Sequence, residues 1–182
     1  MMGSQKSLGH LLVLIWVVAM ALCGVSPVLS RAIPAAPPKA QPNATAQFLI
    51  PHNQARAAVG VGPLNWSGKL VAEASKVVGY QKQYKACDFA DLDSSLYGAN
   101  QGWSSYPARP DEVVGSWVEE EKYYYHANNT CAAGHDCGTY TQVVWRKTAE
   151  LGCAQATCVK GGATITVCLY YPHGNVKGQS PY

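Results

Sequence analysis

The chain has 182 residues, 48% of them hydrophobic, and 14 Lys and Arg against 11 Asp and Glu give it a formal charge of +3. So small an excess, with no basic run and no alternation of Trp or Tyr with Lys or Arg, argues against nucleic acid as a partner and leaves only a weak attraction to acidic surfaces.

The first 30 residues differ from the rest. Lys6 precedes an apolar run from Leu11 to Leu22, and Cys23, Gly24 and small residues around Ser26 and Ser30 follow it. The run is shorter than the roughly 20 apolar residues of a membrane span and has the order of a secretory signal peptide. No second apolar segment and no stop-transfer cluster follows, so stable membrane insertion is not expected. Cleavage near Ser30 leaves enough chain for one domain with its own core. Residues 31–45 (RAIPAAPPKAQPNAT) have no apolar periodicity and are expected to be a flexible, proline-rich segment. The folded domain is then expected over residues 46–182.

A first helix is expected up to Val59, starting at Leu49 or Ile50 so that Pro51 falls in its first turn. Gly60, Gly62 and Pro63 end it. Leu70, Val71, Ala74, Val77, Val78 and Gln81 recur at helical steps and predict a second helix over Ser67 to Tyr84. Asp88 to Tyr106, rich in Ser, Gly, Asp and Asn, reads as loop. Pro110 opens a third helix with Asp111 and Glu112 in its first turn, and Glu120 falls on the same side as Trp117. Tyr140 to Trp145 fits either a short helix or an extended piece. Leu151 to Cys158 and Ala163 to Tyr170 alternate as strands around a Lys160-Gly161-Gly162 turn. Pro172 to Tyr182 is turn-like. Helices first and strands last make the fold α+β.

Six cysteines lie beyond the leader: Cys87, Cys131, Cys137, Cys153, Cys158 and Cys168. In a secreted domain that number reads as three disulfides in one of 15 pairings, rather than as a zinc site. Asn43, Asn65 and Asn128 head glycosylation sequons. His52, His126, His135 and His173 are each a surface or core residue unless a carboxylate joins them. For His52 the natural partner is Glu120. No G-x-S-x-G or H-E-x-x-H motif is present, so catalytic chemistry lacks its parts.

The run Cys137-Gly138-Thr139-Tyr140-Thr141-Gln142-Val143-Val144-Trp145 resembles the G-H-Y-T-Q-V-V-W signature of the CAP superfamily, in particular the plant pathogenesis-related class 1 proteins. His52 to Leu64 matches H-N-x-A-R-A-x-V-G-V-G-P-L, and Cys168 to Asn175 matches C-x-Y-x-P-x-G-N. The surrounding text, with YGANQGW and ELGCAQATC, is similar to the style- or pistil-expressed branch. The resemblance implies an α-β-α sandwich with an antiparallel sheet between helices, and the bridges Cys87–Cys158, Cys131–Cys137 and Cys153–Cys168. It also implies a cavity tetrad of two histidines and two glutamates able to hold zinc. Carried over, two of these are His52 and Glu120. The other two are lost at Ala99 and Thr139, so no zinc site and no cofactor are expected.

Sterol or other lipid is the partner that the family implies, with Tyr123, Tyr124 and Tyr140 beside His52 and Glu120 as ligand-binding candidates. The product is expected to be a secreted, monomeric, non-enzymatic protein of the apoplast or cell wall, serving defence or reproductive tissue. The resemblance also raises the release of a C-terminal signalling peptide, Pro172 to Tyr182, although Cys168-Leu169-Tyr170-Tyr171 departs from the usual text before the cut. A metal-dependent hydrolase is the weakest of the three readings.

Overall fold

A computed structural model of the chain describes residues 43–159 and 161–182. The expected signal peptide, residues 31–42 of the proline-rich segment and Lys160 of the expected hairpin turn lie outside the described residues.

Asn43 starts the first helix, α1 (Ala44–Ala58), by accepting a hydrogen bond from Ala46 N at 2.9 Å. That satisfies one of the orphan amides of a helix start. The helix therefore begins before the expected Leu49 or Ile50, and Pro51 falls in its interior, where it forgoes one intrahelical bond. Phe48, His52 and Arg56, spaced by four, are its buried stripe. α2 (Gly68–Tyr84) matches the expected helix to within a residue and buries Leu70, Ala74, Val78 and Gln81.

The expected loop after Asp88 contains a strand, β2 (Gly98–Ser104). Its text, GANQGWS, has no β-branched residue, so propensity does not announce it. Full pairing with β6 (Thr164–Tyr171), from Gly98 opposite Tyr170 to Ser104 opposite Thr164, makes it a strand. Its glycines serve close packing: a Cβ at Gly102 would stand 2.5 Å from the Val113 side chain. Val113 belongs to α3 (Pro110–Val118), which runs on as a 3₁₀ turn over Glu119–Tyr123. A small ribbon of β3 (Tyr124–Tyr125) and β4 (Thr130–Cys131) follows. The signature run forms a short helix, α4 (Gly138–Val143), ahead of β5 (Glu150–Thr157).

The main sheet has the order β1-β5-β6-β2, with β1 (Asn65–Trp66) parallel to β5 and the other pairs antiparallel, so it is mixed rather than purely antiparallel. β6 is buried on both faces. Ile165, Val167 and Leu169 pack with Leu70, Ala74 and Val78 of α2, while Cys168 and Tyr170 join Phe48, Val114, Trp117 and Tyr140 on the other side. That alternation produces an α-β-α sandwich. All three disulfides pair as the resemblance implied. Cys87–Cys158 closes 71 residues of sequence, a constraint worth about 4 kcal/mol in the chain-entropy account. Asn43, Asn65 and Asn128 are all exposed. Among the described residues no helix is long and apolar enough to cross a membrane.

Candidate functional site: the polar frame of α4

The half-buried Glu120 sits on the 3₁₀ turn after α3. Its Oε2 accepts hydrogen bonds from Thr139 N at 3.0 Å and Tyr140 N at 3.1 Å. These amides belong to the first turn of α4, where a carboxylate is favoured by the helix dipole and by unpaired donors. The Thr139 carbonyl accepts from Asn100 Nδ2 at 2.9 Å, and the same amide donates to the Tyr170 hydroxyl at 3.1 Å. The chain of bonds then enters the core. His52 Nδ1 lies 2.7 Å from the Phe48 carbonyl, which can only accept, so Nδ1 carries the proton. Nε2 is then an acceptor, and Tyr170 donates to it at 2.8 Å.

Burial, the largest influence, holds the His52 imidazole down at about 4, and it pushes the Tyr170 hydroxyl well above its usual range. His52 is therefore neutral at neutral pH. Its exposure is 0%, and among the described residues no hydrogen bond or ion pair links it to Glu120. The two side chains are instead bonded to other partners, Glu120 to the amides of α4 and His52 to Phe48 and Tyr170. His52 lies on the inner stripe of α1 with both ring nitrogens committed.

The opposite end of α4 is held by Arg56, which sequence reasoning passed over. It donates from Nε to Gly62 O at 2.7 Å, from Nη1 to Val143 O at 3.0 Å and Trp145 O at 2.8 Å, and from Nη2 to Thr148 O at 2.9 Å. Burial lowers this guanidinium to about 10, leaving it charged at neutral pH. α4 thus has a carboxylate at its N-terminus and a cation at its C-terminus, the arrangement its dipole favours. The available signal was spacing, since Arg56 stands four residues after His52 on the same stripe.

Ala99 lines a recess of ≈320 Å³, whereas Thr139 is not among its lining residues. The Thr139 hydroxyl is instead buried without a hydrogen-bond partner. The tetrad therefore fails as a metal site on its donors. Ala99 offers none, His52 is sealed, and Glu120 Oε2 is engaged by two amides. Zinc needs three or four protein donors, and no group of three His, Cys, Asp or Glu able to hold a metal occurs among the described residues.

The tyrosine candidates differ in burial and partners. Tyr140 is 1% exposed, its hydroxyl 3.1 Å from that of Tyr182, and burial raises its pKa. Tyr124 donates to Asn129 Oδ1 at 2.8 Å and packs against Tyr140. Tyr123 stacks on His135 at 3.5 Å between centroids, with Lys122 Nζ 5.0 Å from its ring centre. Tyr140 is thus buried, whereas Tyr123 and Tyr124 are half-buried and packed against neighbouring rings. An apolar groove of ≈660 Å³ lies elsewhere, between α2 and residues 88–92, walled by Val77, Tyr80, Phe89 and Leu92.

The model of the cysteine-rich secretory protein (CAP) family matches residues 49–170. The chain is 51% identical over 140 residues to the STS14 protein of Solanum tuberosum, an alignment covering 76% of this chain and 65% of that protein, so just under two thirds of that relative's length is spanned. It is 39% identical over 171 residues to the pathogenesis-related protein PRMS of Zea mays, covering 93% of this chain and 94% of that one. Among solved structures, Schistosoma mansoni venom allergen-like protein 4 is similar with a TM-score of 0.58 and 26% identity, covering 78% of this chain and 95% of that one.

Proposed function

The chain belongs to the cysteine-rich secretory protein (CAP) family, and from that premise we propose that it is a secreted, non-enzymatic protein of the extracellular space that holds a sterol or other lipid in defence or reproductive tissue. The observation that carries this reading is the groove on α2. Its ≈660 Å³ falls within the range of about 300–1,000 Å³ typical of small-molecule sites. Tyr80 and Phe89 on its walls are 52% and 57% exposed, an apolar patch open to solvent that a lipid would cover. At the rim Lys76 pairs with Glu73 at 2.8 Å, while Lys85 makes no ion pair among the described residues and suits the polar end of an amphiphile. Three disulfides support an oxidising, extracellular setting. The commitment of His52 and Glu120 to backbone and core partners supports a role other than catalysis.

Titration of the secreted protein with dehydroergosterol and with a fluorescent fatty acid tests the proposal. Saturable binding of at least one probe is expected, weakened about tenfold by Phe89→Ser and unaffected by Tyr125→Ala. A flat signal at saturating probe overturns the lipid reading. Binding undiminished by Phe89→Ser removes the lipid from this groove.

A further inference from the structure

On the other side of the Ala90–Leu92 segment from the apolar groove, we propose that the recess between β2, α4 and His173 binds a neutral saccharide. Its ≈320 Å³ lies at the lower end of the roughly 300–1,000 Å³ of ligand sites, room for one or two sugar rings rather than a lipid.

The Gln142 side chain decides its chemistry. It is 1% exposed, and its Nε2 is buried with no hydrogen-bond partner. The amide is clasped between two glycines. A Cβ at Gly98 would fall 2.3 Å from its Oε1, and one at Gly174 would fall 2.4 Å from its Nε2. A buried donor left unpaired costs about 1–3 kcal/mol, so the under-bonded amide of a residue that lines the recess is placed to take a ligand hydroxyl.

The other amides of the recess are already spent. Gln101 holds both Ala90 N and Ala90 O at 2.8 Å, and Asn175 bridges Thr141 Oγ1 and Gly138 O at 2.8 Å each. They act as rigid walls. The groups left to a ligand are Gln142, the Asp93 carboxylate, which makes no hydrogen bond or ion pair among the described residues, and Nε2 of His173, whose Nδ1 donates to the Gly174 carbonyl. Tyr97 adds an apolar wall, braced edge-on by Tyr171 at 6.2 Å.

This set selects by exclusion. No Lys or Arg lines the recess and Asp93 does, which disfavours an anion. One carboxylate and one imidazole are too few for a cation such as zinc. A sugar supplies what remains, namely hydroxyls that accept from an amide and donate to a carboxylate, and a C–H face to lie on Tyr97.

The test is NMR on the isotope-labelled, full secreted protein, with cellotriose, xylotriose, trigalacturonate and trialanine as probes. Either neutral trisaccharide is expected to move the Gln142 side-chain amide resonance, and Ala99→Glu, which fills the recess, to weaken that binding about tenfold or more. Should Ala99→Glu fail to fold, Asp93→Asn on its exposed loop is expected to weaken binding with an unchanged melting temperature. Dehydroergosterol is not expected to displace the sugar. The proposal falls if neither neutral probe moves the resonance, if trigalacturonate or trialanine binds as well or better, or if both variants bind undiminished.

Discussion

The His52 imidazole and the Tyr170 hydroxyl, 118 positions apart in the chain, meet at 2.8 Å in the core and join α1 to the central strand β6. Tyr170 is in turn bonded by Asn100, whose amide also holds the Thr139 carbonyl. The signature helix α4 is therefore tied to the sheet by Asn100, and the same chain of bonds runs through Tyr170 to the neutral histidine of α1.

That histidine predicts an acid-sensitive fold. Its pKa is about 4 folded against an ordinary 6.5, so as pH falls the unfolded chain takes up the proton first. The stability it contributes is full above about 6.5 and is lost between there and about 4, a decline of about 3 kcal/mol. Urea unfolding at a series of pH values should show this slope, and His52→Gln should flatten it across that window. An unchanged slope in the variant would place the acid sensitivity elsewhere.

Glu120 is expected to matter for order rather than for chemistry. Glu120→Ala removes the acceptor of the Thr139 and Tyr140 amides and should cost about 1 kcal/mol, as lost caps do. Hydrogen exchange at those two amides should quicken more than at amides of α2. Faster exchange spread evenly over the domain would show instead that the side chain supports the fold globally.

The sequence displayed α2 and the β5–β6 hairpin because both keep a clear apolar period. It hid β2, whose small residues are dictated by close approaches from Val113 and Gln142 in other parts of the chain. The core partners of His52 were hidden for the same reason. On α1 it repeats with Phe48 and Arg56 at steps of four, a stripe whose polar members find partners only after folding: Tyr170 for the histidine, and the carbonyls of Val143, Trp145 and Thr148 for the arginine. Polar residues on a helix face look like a site until the strand that satisfies them is in place. Gln142 was likewise visible in the motif, yet its confinement between Gly98 and Gly174 depends on long-range packing.

The C-terminal segment expected as a releasable peptide is built into the domain. Tyr171 O accepts from Ala149 N at 3.0 Å and Pro172 O from Thr148 Oγ1 at 2.9 Å, so the carbonyls on both sides of Pro172 N are occupied. Farther on, Arg146 N donates to Pro181 O at 2.8 Å, and Asn129 Nδ2 donates to Gln179 O at 3.0 Å. Tyr182 stacks on His126 at 4.3 Å between centroids and reaches the Tyr140 hydroxyl. Residues 172–182 thus strap α4 and cover a buried tyrosine. A protease needs an extended segment free of such partners, so cleavage before Pro172 should be slow in the native protein and rise steeply in mild urea. Truncation after Tyr171 should lower stability by about 2–4 kcal/mol, since it strips several hydrogen bonds and uncovers Tyr140 together. Urea unfolding of the truncated and full chains measures the difference. A truncated domain as stable as the full one would show that the strap is dispensable and the segment free to leave.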